Sequence, residues 1–322
     1  MNERIFKSLL TTKNLSVGYG SHILLSDLNL ELQCGELVCF MGPNGIGKSS
    51  LIKTLMGLLE PLSGEIHFQD DGTLESKVSV VLTDRIYHPQ LKVNELIALG
   101  RYPYLDWRLK LLAKDEEKIE EAVNLTRIQH LYDKRIAELS DGQMQMVMIA
   151  RALAQDTNIL LLDEPTAHLD LNNRVEIMNL LKWLTRETNR AILMATHELD
   201  LALQTADKVW IATSNKTIKT GMPEDLVLDG SFDEVFQFKG YDLKTGKIQH
   251  QAFRKLEVAV MGDGYPLLWT RNALERNGYT LSESAELKVY VEQSDGKLKW
   301  IVNKEIFFNL ESLLSFLFKE KL

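Results

Sequence analysis

The sequence predicts an α/β protein: a parallel sheet interrupted by a helical insertion, then a small α+β unit. Two observations carry this. Short, wholly apolar runs at Leu37–Met41, Ile159–Leu162 and Ala191–Ala195 each precede a helix-patterned stretch, the way buried parallel strands alternate with covering helices. Beyond residue 250 the pattern changes to strands and helices of a smaller unit. The length of 322 residues suits roughly two domains, and 1–250 and 251–322 are the expected bounds.

Taken in order, Asn14–Gly20 and Leu28–Leu32 read as half-exposed antiparallel strands, and Glu36–Met41 as a buried parallel one. A glycine-rich turn leads into a helix over Ser49–Gly57, closed by its glycine. Glu65–Phe68 and Lys77–Leu82 are further strands, and about 85–155 is a helical subdomain with an acidic, solvated face at Asp115–Glu121. Strands return at Ile159–Leu162 and Ala191–Ala195. In the tail, Leu256–Met261 is a strand, and Pro266–Asn277 a helix stopped by Gly278. Glu286–Glu292 and Lys297–Val302 form a hairpin about Ser294-Asp295-Gly296. Asn309 caps a last helix, Leu310–Lys319, which completes a βαββα unit.

Composition excludes several classes. With 45% hydrophobic and 25% charged residues the chain is an ordinary globular protein rather than a disordered one. No apolar run approaches the ~20 residues of a spanning helix, and Met1-Asn2-Glu3-Arg4 opens no signal sequence, so a cytosolic chain is expected. Cys34 and Cys39 read as reduced core or near-core thiols. A net charge of −8 argues against bulk electrostatic binding to nucleic acid or anionic lipid. Residues 251–322 hold ten acids and ten bases against 35 and 27 before them, so the acidity belongs to the larger part.

The chemistry starts at Gly42-Pro43-Asn44-Gly45-Ile46-Gly47-Lys48-Ser49, followed by Ser50. This GxxxxGK[ST] spacing lets backbone N–H groups turn onto phosphate oxygens at a helix N-terminus. Lys48 then reaches the β- and γ-phosphates, and the Ser49 hydroxyl reaches Mg²⁺. Average composition yields the pattern by chance in about one chain in a hundred of this length, and here it stands between an apolar strand and a helix. The core is therefore expected to be a P-loop NTPase of RecA-like type. Ile159–Leu162 ends in Asp163 and Glu164: behind such a loop, Asp163 is placed for the metal and Glu164 for orienting or deprotonating water.

Leu139-Ser140-Asp141-Gly142-Gln143 resembles the LSGGQ signature of the ATP-binding cassette (ABC) family, with Asp141 in place of a glycine. Ser140 is a helix N-cap candidate there. The resemblance covers most of the first 250 residues and implies that this helix N-terminus binds the γ-phosphate of ATP held by an opposite subunit. It further implies that Tyr19 stacks on adenine, that Ala167-His168-Leu169-Asp170 is the loop through which two cassettes communicate, and that His197 contacts the γ-phosphate. One departure stands out: at the family's glutamine position the chain reads Thr83-Asp84, where a water bridge from Thr83 or a substitution by Asp84 are alternatives.

Leu91–Tyr104, Asp170–Arg174, His197–Ala206 and Gly221–Leu226 are similar to the importers of ferric siderophores, haem and cobalamin. That resemblance implies a homodimer of ATPase subunits on the inner face of the cell membrane. It also implies a permease dimer docking near residues 83–107, fed by a periplasmic or lipoprotein substrate-binding protein. An exporter ATPase shares the same motifs and stands as the alternative. A chromosome-maintenance or repair cassette needs a long heptad insertion and a ribosome-associated factor usually two cassettes. The chain has no such heptads and a single phosphate loop, so no nucleic-acid partner is expected. The tail carries no motif and is expected to be a dimerisation or regulatory domain, with a stabilising appendage as the alternative.

Overall fold

The computed structural model describes residues 7–69, 72–83, 88, 90–248, 250–294 and 297–319. They form two units, 1–237 and 238–322.

The first unit holds two sheets. Strand β1 (Ser8–Tyr19) is the hub of the smaller, antiparallel sheet; β2 (His22–Leu28), β3 (Glu31–Gln33) and β5 (Ser63–Phe68) all pair with it. The expected strand Leu28–Leu32 is in fact two. The Asn29 side chain bonds to Asn14 and to the Asp27 carbonyl, and Asp27 takes φ +53°, so the chain turns between β2 and β3. Local chemistry of an Asn and an Asp wins over apolar alternation at that point.

The larger sheet has the order β10-β9-β4-β8-β7-β6. Its members are β4 (Leu37–Met41), β6 (Val78–Val81), β7 (Ile159–Asp163), β8 (Ala191–Ala195), β9 (Lys208–Ala212) and β10 (Ile218–Gly221). All pairings are parallel except β9 with β10. Every residue of β4, β7 and β8 is buried, which is why these segments read as continuous apolar runs. The strand predicted at 77–82 is β6, and a helical turn, α2 (Leu74–Lys77), precedes it.

Helix α1 (Lys48–Leu55) follows β4, and the helical subdomain holds α3 (Val93–Ala98), α4 (Ala113–Thr126) and α5 (Asp141–Ala154). The acidic run on α4 is not uniformly solvated. Asp115 is 1% exposed, pairs with the equally buried Arg101 at 3.0 Å, and accepts from the Leu112 N–H at 3.0 Å. Further along come α6 (Leu171–Thr188), α7 (Leu199–Thr205), α8 (Pro223–Leu228) and α9 (Ser231–Phe236).

The second unit begins earlier than composition suggests, at Phe238 rather than after residue 250. The short pair β11 (Tyr241–Asp242) and β12 (Lys247–Ile248) belongs to it, because Gly246–Ile248 flank a cavity lined also by Trp269, Ala273 and Leu310. Its five-stranded sheet runs β14-β13-β15-β16-β17, with β13 (Glu257–Met261), β14 (Thr280–Leu281), β15 (Leu287–Ser294), β16 (Lys297–Val302) and β17 (Glu305–Phe307). Helices α10 (Gly264–Arg276) and α11 (Leu310–Lys319) complete the predicted βαββα order, which gains two short edge strands. Val258, Val289, Trp300, Leu313 and Leu317 share its core. The Asn309 cap is present, accepting from the Ser312 N–H at 2.8 Å. Of the hairpin signal, Asp295 and Gly296 lie outside the described residues.

Cys34 and Cys39 are both free. Burial pushes the Cys39 thiol up to about 12. Among the described residues no helix is long and apolar enough to cross a membrane.

Candidate functional site

Three neighbouring strands assemble the site. β4 and β7 flank β8 and run parallel to it, so the segments leaving their carboxyl ends converge on one edge of the sheet. These segments are the glycine loop after β4, Thr196-His197 after β8, and Asp163-Glu164 at the end of β7. In open α/β sheets that edge is where ligands bind.

Gly42, Pro43, Asn44, Gly45, Ile46 and Gly47 form the loop, and α1 opens at Lys48, Ser49 and Ser50. Gly47 sits at φ +113°, and a Cβ there would lie 3.0 Å from the Leu24 side chain, so only glycine lets the loop turn into the helix without strain. Lys48 Nζ donates to the Gly42 and Pro43 carbonyls at 2.8 and 3.3 Å, which holds the ammonium in the cradle of the loop. Burial lowers its pKa, against the opposing charges of Glu164 and Asp163. Tyr19, at the end of β1, is 53% exposed and brings its hydroxyl within 3.3 Å of Ser50 Oγ. An aromatic face open to solvent thus stands beside the loop.

Asp163 is buried, and its Oδ1 has no hydrogen-bond partner among the described residues. An orphaned carboxylate oxygen of this kind is costly unless a cation takes it. The donor set of one carboxylate and the Ser49 hydroxyl fits Mg²⁺, which usually takes one or two protein oxygens and completes its shell with phosphate and water. Thr83, just beyond β6, donates its hydroxyl to the Asp163 carbonyl at 2.9 Å, tying the neighbouring strand end to the site. Asp84 lies outside the described residues.

Glu164 adopts φ +52° and its N–H bonds to the Ala195 carbonyl at 2.9 Å. Its carboxylate meets His197 Nδ1 in a short contact. Downstream, His168 takes φ +65°, Leu169 is buried, and Asp170 caps α6 by accepting from the Asn173 N–H at 2.9 Å. Two non-glycine residues in the left-handed region within five positions mark a loop over-determined by its surroundings.

The signature segment lies at the start of α5. Ser140 accepts from the Gln143 N–H at 3.2 Å, and Gln143 Oε1 accepts from the Ser140 N–H at 3.1 Å, a reciprocal cap. Leu139 precedes it, and Asp141 opens the helix. Gly142 packs on α6: a Cβ there would fall 2.7 Å from the Asn173 side chain. The structure therefore gathers the phosphate loop, Tyr19, Asp163, Glu164 and His197, while the signature residues and Asp170 meet through Asn173. Sequence reasoning missed the pairing of Arg174 with Glu198, which bridge at 2.8 Å. Residues 24 apart give no local signal of such a pair.

A phosphate loop and an acidic strand end on a parallel sheet, with a capped signature helix in an inserted subdomain, define a P-loop ATPase of the cassette type. Residues 25–167 match the ABC transporter family, and residues 254–318 match the iron ABC transporter C-terminal domain. An uncharacterised ABC transporter ATP-binding protein of Methanocaldococcus jannaschii is 38% identical over 76% of this chain and 89% of its own. The petrobactin import ATP-binding protein of Bacillus anthracis is 35% identical over 71% and 87%, and the ferric enterobactin transport ATP-binding protein of Escherichia coli 32% over 70% and 85%. A solved ABC transporter of metal-chelate type, in an inward-facing conformation, superposes with TM-score 0.65 at 26% identity, over 72% of this chain and 90% of that one. The chain belongs to the ABC transporter ATP-binding proteins; it binds and hydrolyses ATP as the nucleotide-binding subunit of a membrane transporter.

Proposed function

We propose that this chain powers an importer of ferric siderophores. The observation that carries the reading is the convergence of the phosphate loop, Asp163-Glu164 and His197 on one sheet edge, in a chain whose tail matches an iron-transporter domain. The siderophore specificity of several relatives favours that cargo over haem or cobalamin. In this reading the chain lies against the inner face of the cell membrane, beneath a permease dimer supplied by a substrate-binding protein, and two copies enclose two ATP molecules.

The roles follow from the chemistry of the groups. Lys48 and the N–H groups of the loop neutralise and orient the β- and γ-phosphates, and Tyr19 offers its ring to adenine. Ser49 and Asp163 would hold Mg²⁺, which when bound shields charge between the phosphate oxygens. Glu164 orients the attacking water and accepts its proton, while His197, in contact with the Glu164 carboxylate, would contact the γ-phosphate. Ser140 and the N-terminus of α5 complete the site of a second copy, aiming N–H groups at that copy's γ-phosphate. ATP enclosed between two copies favours the closed pair and hydrolysis releases it, so a permease attached to both alternates its access.

Glu164→Gln tests this directly. ATP binding should persist while turnover falls between about a hundred- and ten-thousandfold, and ATP should trap a dimer on size-exclusion chromatography. Near-normal turnover would overturn the assignment.

A further inference from the structure

We infer that Arg174 is a positioning residue that locks the loop 166–170 to the histidine switch, so that movement of that loop is transmitted to Glu164. The inference rests on the ATPase reading above and deepens it.

Arg174 stands one helical turn beyond Asp170, in the first turn of α6. Its Nε donates to the Leu169 carbonyl at 2.7 Å, and its Nη1 lies 2.8 Å from Glu198 Oε1 and 2.9 Å from Oε2. A guanidinium suits this because its donors are fixed in one plane and point to two places at once; a lysine makes only one of the contacts well. Glu198 follows the switch histidine directly. Its own N–H bonds to Thr196 Oγ1 at 3.0 Å, and its Oε1 approaches His197 Nε2 at 3.5 Å. His197 Nδ1 meets the Glu164 carboxylate. A continuous path thus runs Leu169, Arg174, Glu198, His197, Glu164, with polar contacts at each step.

The loop at the head of this path holds the left-handed, non-glycine His168, four residues beyond the left-handed Glu164. Such backbone persists only where several contacts fix it, and the bond from Arg174 to Leu169 is one of them. The preceding residue of the same turn of α6 reaches the signature helix: Asp170 Oδ2 accepts from Asn173 Nδ2 at 2.9 Å, and the Asn173 side chain packs on Gly142. The first turn of α6 is therefore a junction between the loop, the signature helix and the switch. Stability does not explain the arrangement. Arg174 is 32% exposed at its side chain, and partly exposed ion pairs contribute little to stability.

The test uses the full chain, with Glu164→Gln measured alongside. Arg174→Ala and Glu198→Gln should each lower kcat for ATP between about ten- and a hundredfold, the loss expected when a reacting group is misplaced by about an ångström. KM for ATP should stay within about twofold and the melting temperature near wild type. The double variant should lose no more than the worse single variant, and Arg174→Lys, which keeps only one contact, should fall between wild type and alanine. Unchanged kcat in Arg174→Ala and Glu198→Gln would overturn the inference, as would additive losses or a fall in kcat that tracks loss of folded protein. If Arg174→Ala does not fold, the same kcat and KM pattern in Glu198→Gln and Arg174→Lys decides. An inactive Glu164→Gln beside fully active Arg174 variants refutes this path alone; an active Glu164→Gln refutes the ATPase roles beneath it.

Discussion

Replacing Arg101 with methionine would remove the cation at the centre of the helical subdomain while keeping most of its volume. Arg101 is 6% exposed and Asp115 1%. The guanidinium meets Asp115 Oδ1 from both Nε and Nη2 at 3.0 Å, donates from Nη1 to the Ala154 carbonyl at 2.9 Å, and lies 4.2 Å from the Tyr104 ring centre. Methionine satisfies none of the polar partners. Breaking one side of a buried pair costs about 3–5 kcal/mol, and for a unit of this size each kcal/mol lowers Tm by about 2–4 °C. The expected drop is therefore roughly 6–20 °C by circular dichroism at neutral pH.

Acidity provides the control on cause. Burial alone would raise the Asp115 carboxyl, but the Leu112 N–H and Arg101 overcome it and hold the carboxyl below its ordinary range. Its stabilising contribution is complete above the unfolded value of about 3.9 and is lost as pH falls through the lower folded value. Without Arg101, burial dominates and the carboxyl titrates above its ordinary range, so the penalty is full at neutral pH and shrinks on acidification. The gap between variant and wild type should narrow from pH 7 toward pH 4. A gap below about 1 kcal/mol, or one independent of pH, refutes the reasoning. Arg101→Met combined with Asp115→Leu should recover most of the loss, because the uncompensated charge is gone.

Gly47→Ala should weaken ATP binding, measured by fluorescent-nucleotide titration, because φ +113° and a 3.0 Å approach to Leu24 strain the turn that presents the loop. Binding at wild-type affinity would remove the argument for glycine there. Thiol labelling of the native chain at pH 8 should modify Cys34 slowly and Cys39 not at all until the protein unfolds, since Cys39 is fully buried with its thiol pushed up to about 12. Rapid modification of both would contradict the packing of β4.

Much of the site was legible in the linear chain because its chemistry is local. Gly42–Ser49 needs only a strand before it and a helix after it, and the Ser140 cap is made with Gln143, three residues away. The wholly apolar β4, β7 and β8 betray a sheet covered on both faces. Where local chemistry competed with periodicity, as at Asp27 and Asn29, the expected strand broke in two. The short β11–β12 pair carries no periodic signal and lies ahead of the boundary expected at residue 250.

The tertiary structure decided everything that depends on strand order. Nothing in the sequence places β8 between β4 and β7, and that placement is what brings His197 onto Glu164 across 33 residues. It also joins Arg174 on α6 to Glu198 beyond β8. Side chains within one turn of each other read themselves out of sequence through backbone geometry. Partners on different strands meet only once the sheet has paid the entropy of closing the loops between them, and that long-range choice brings the acidic end of β7 and His197 together.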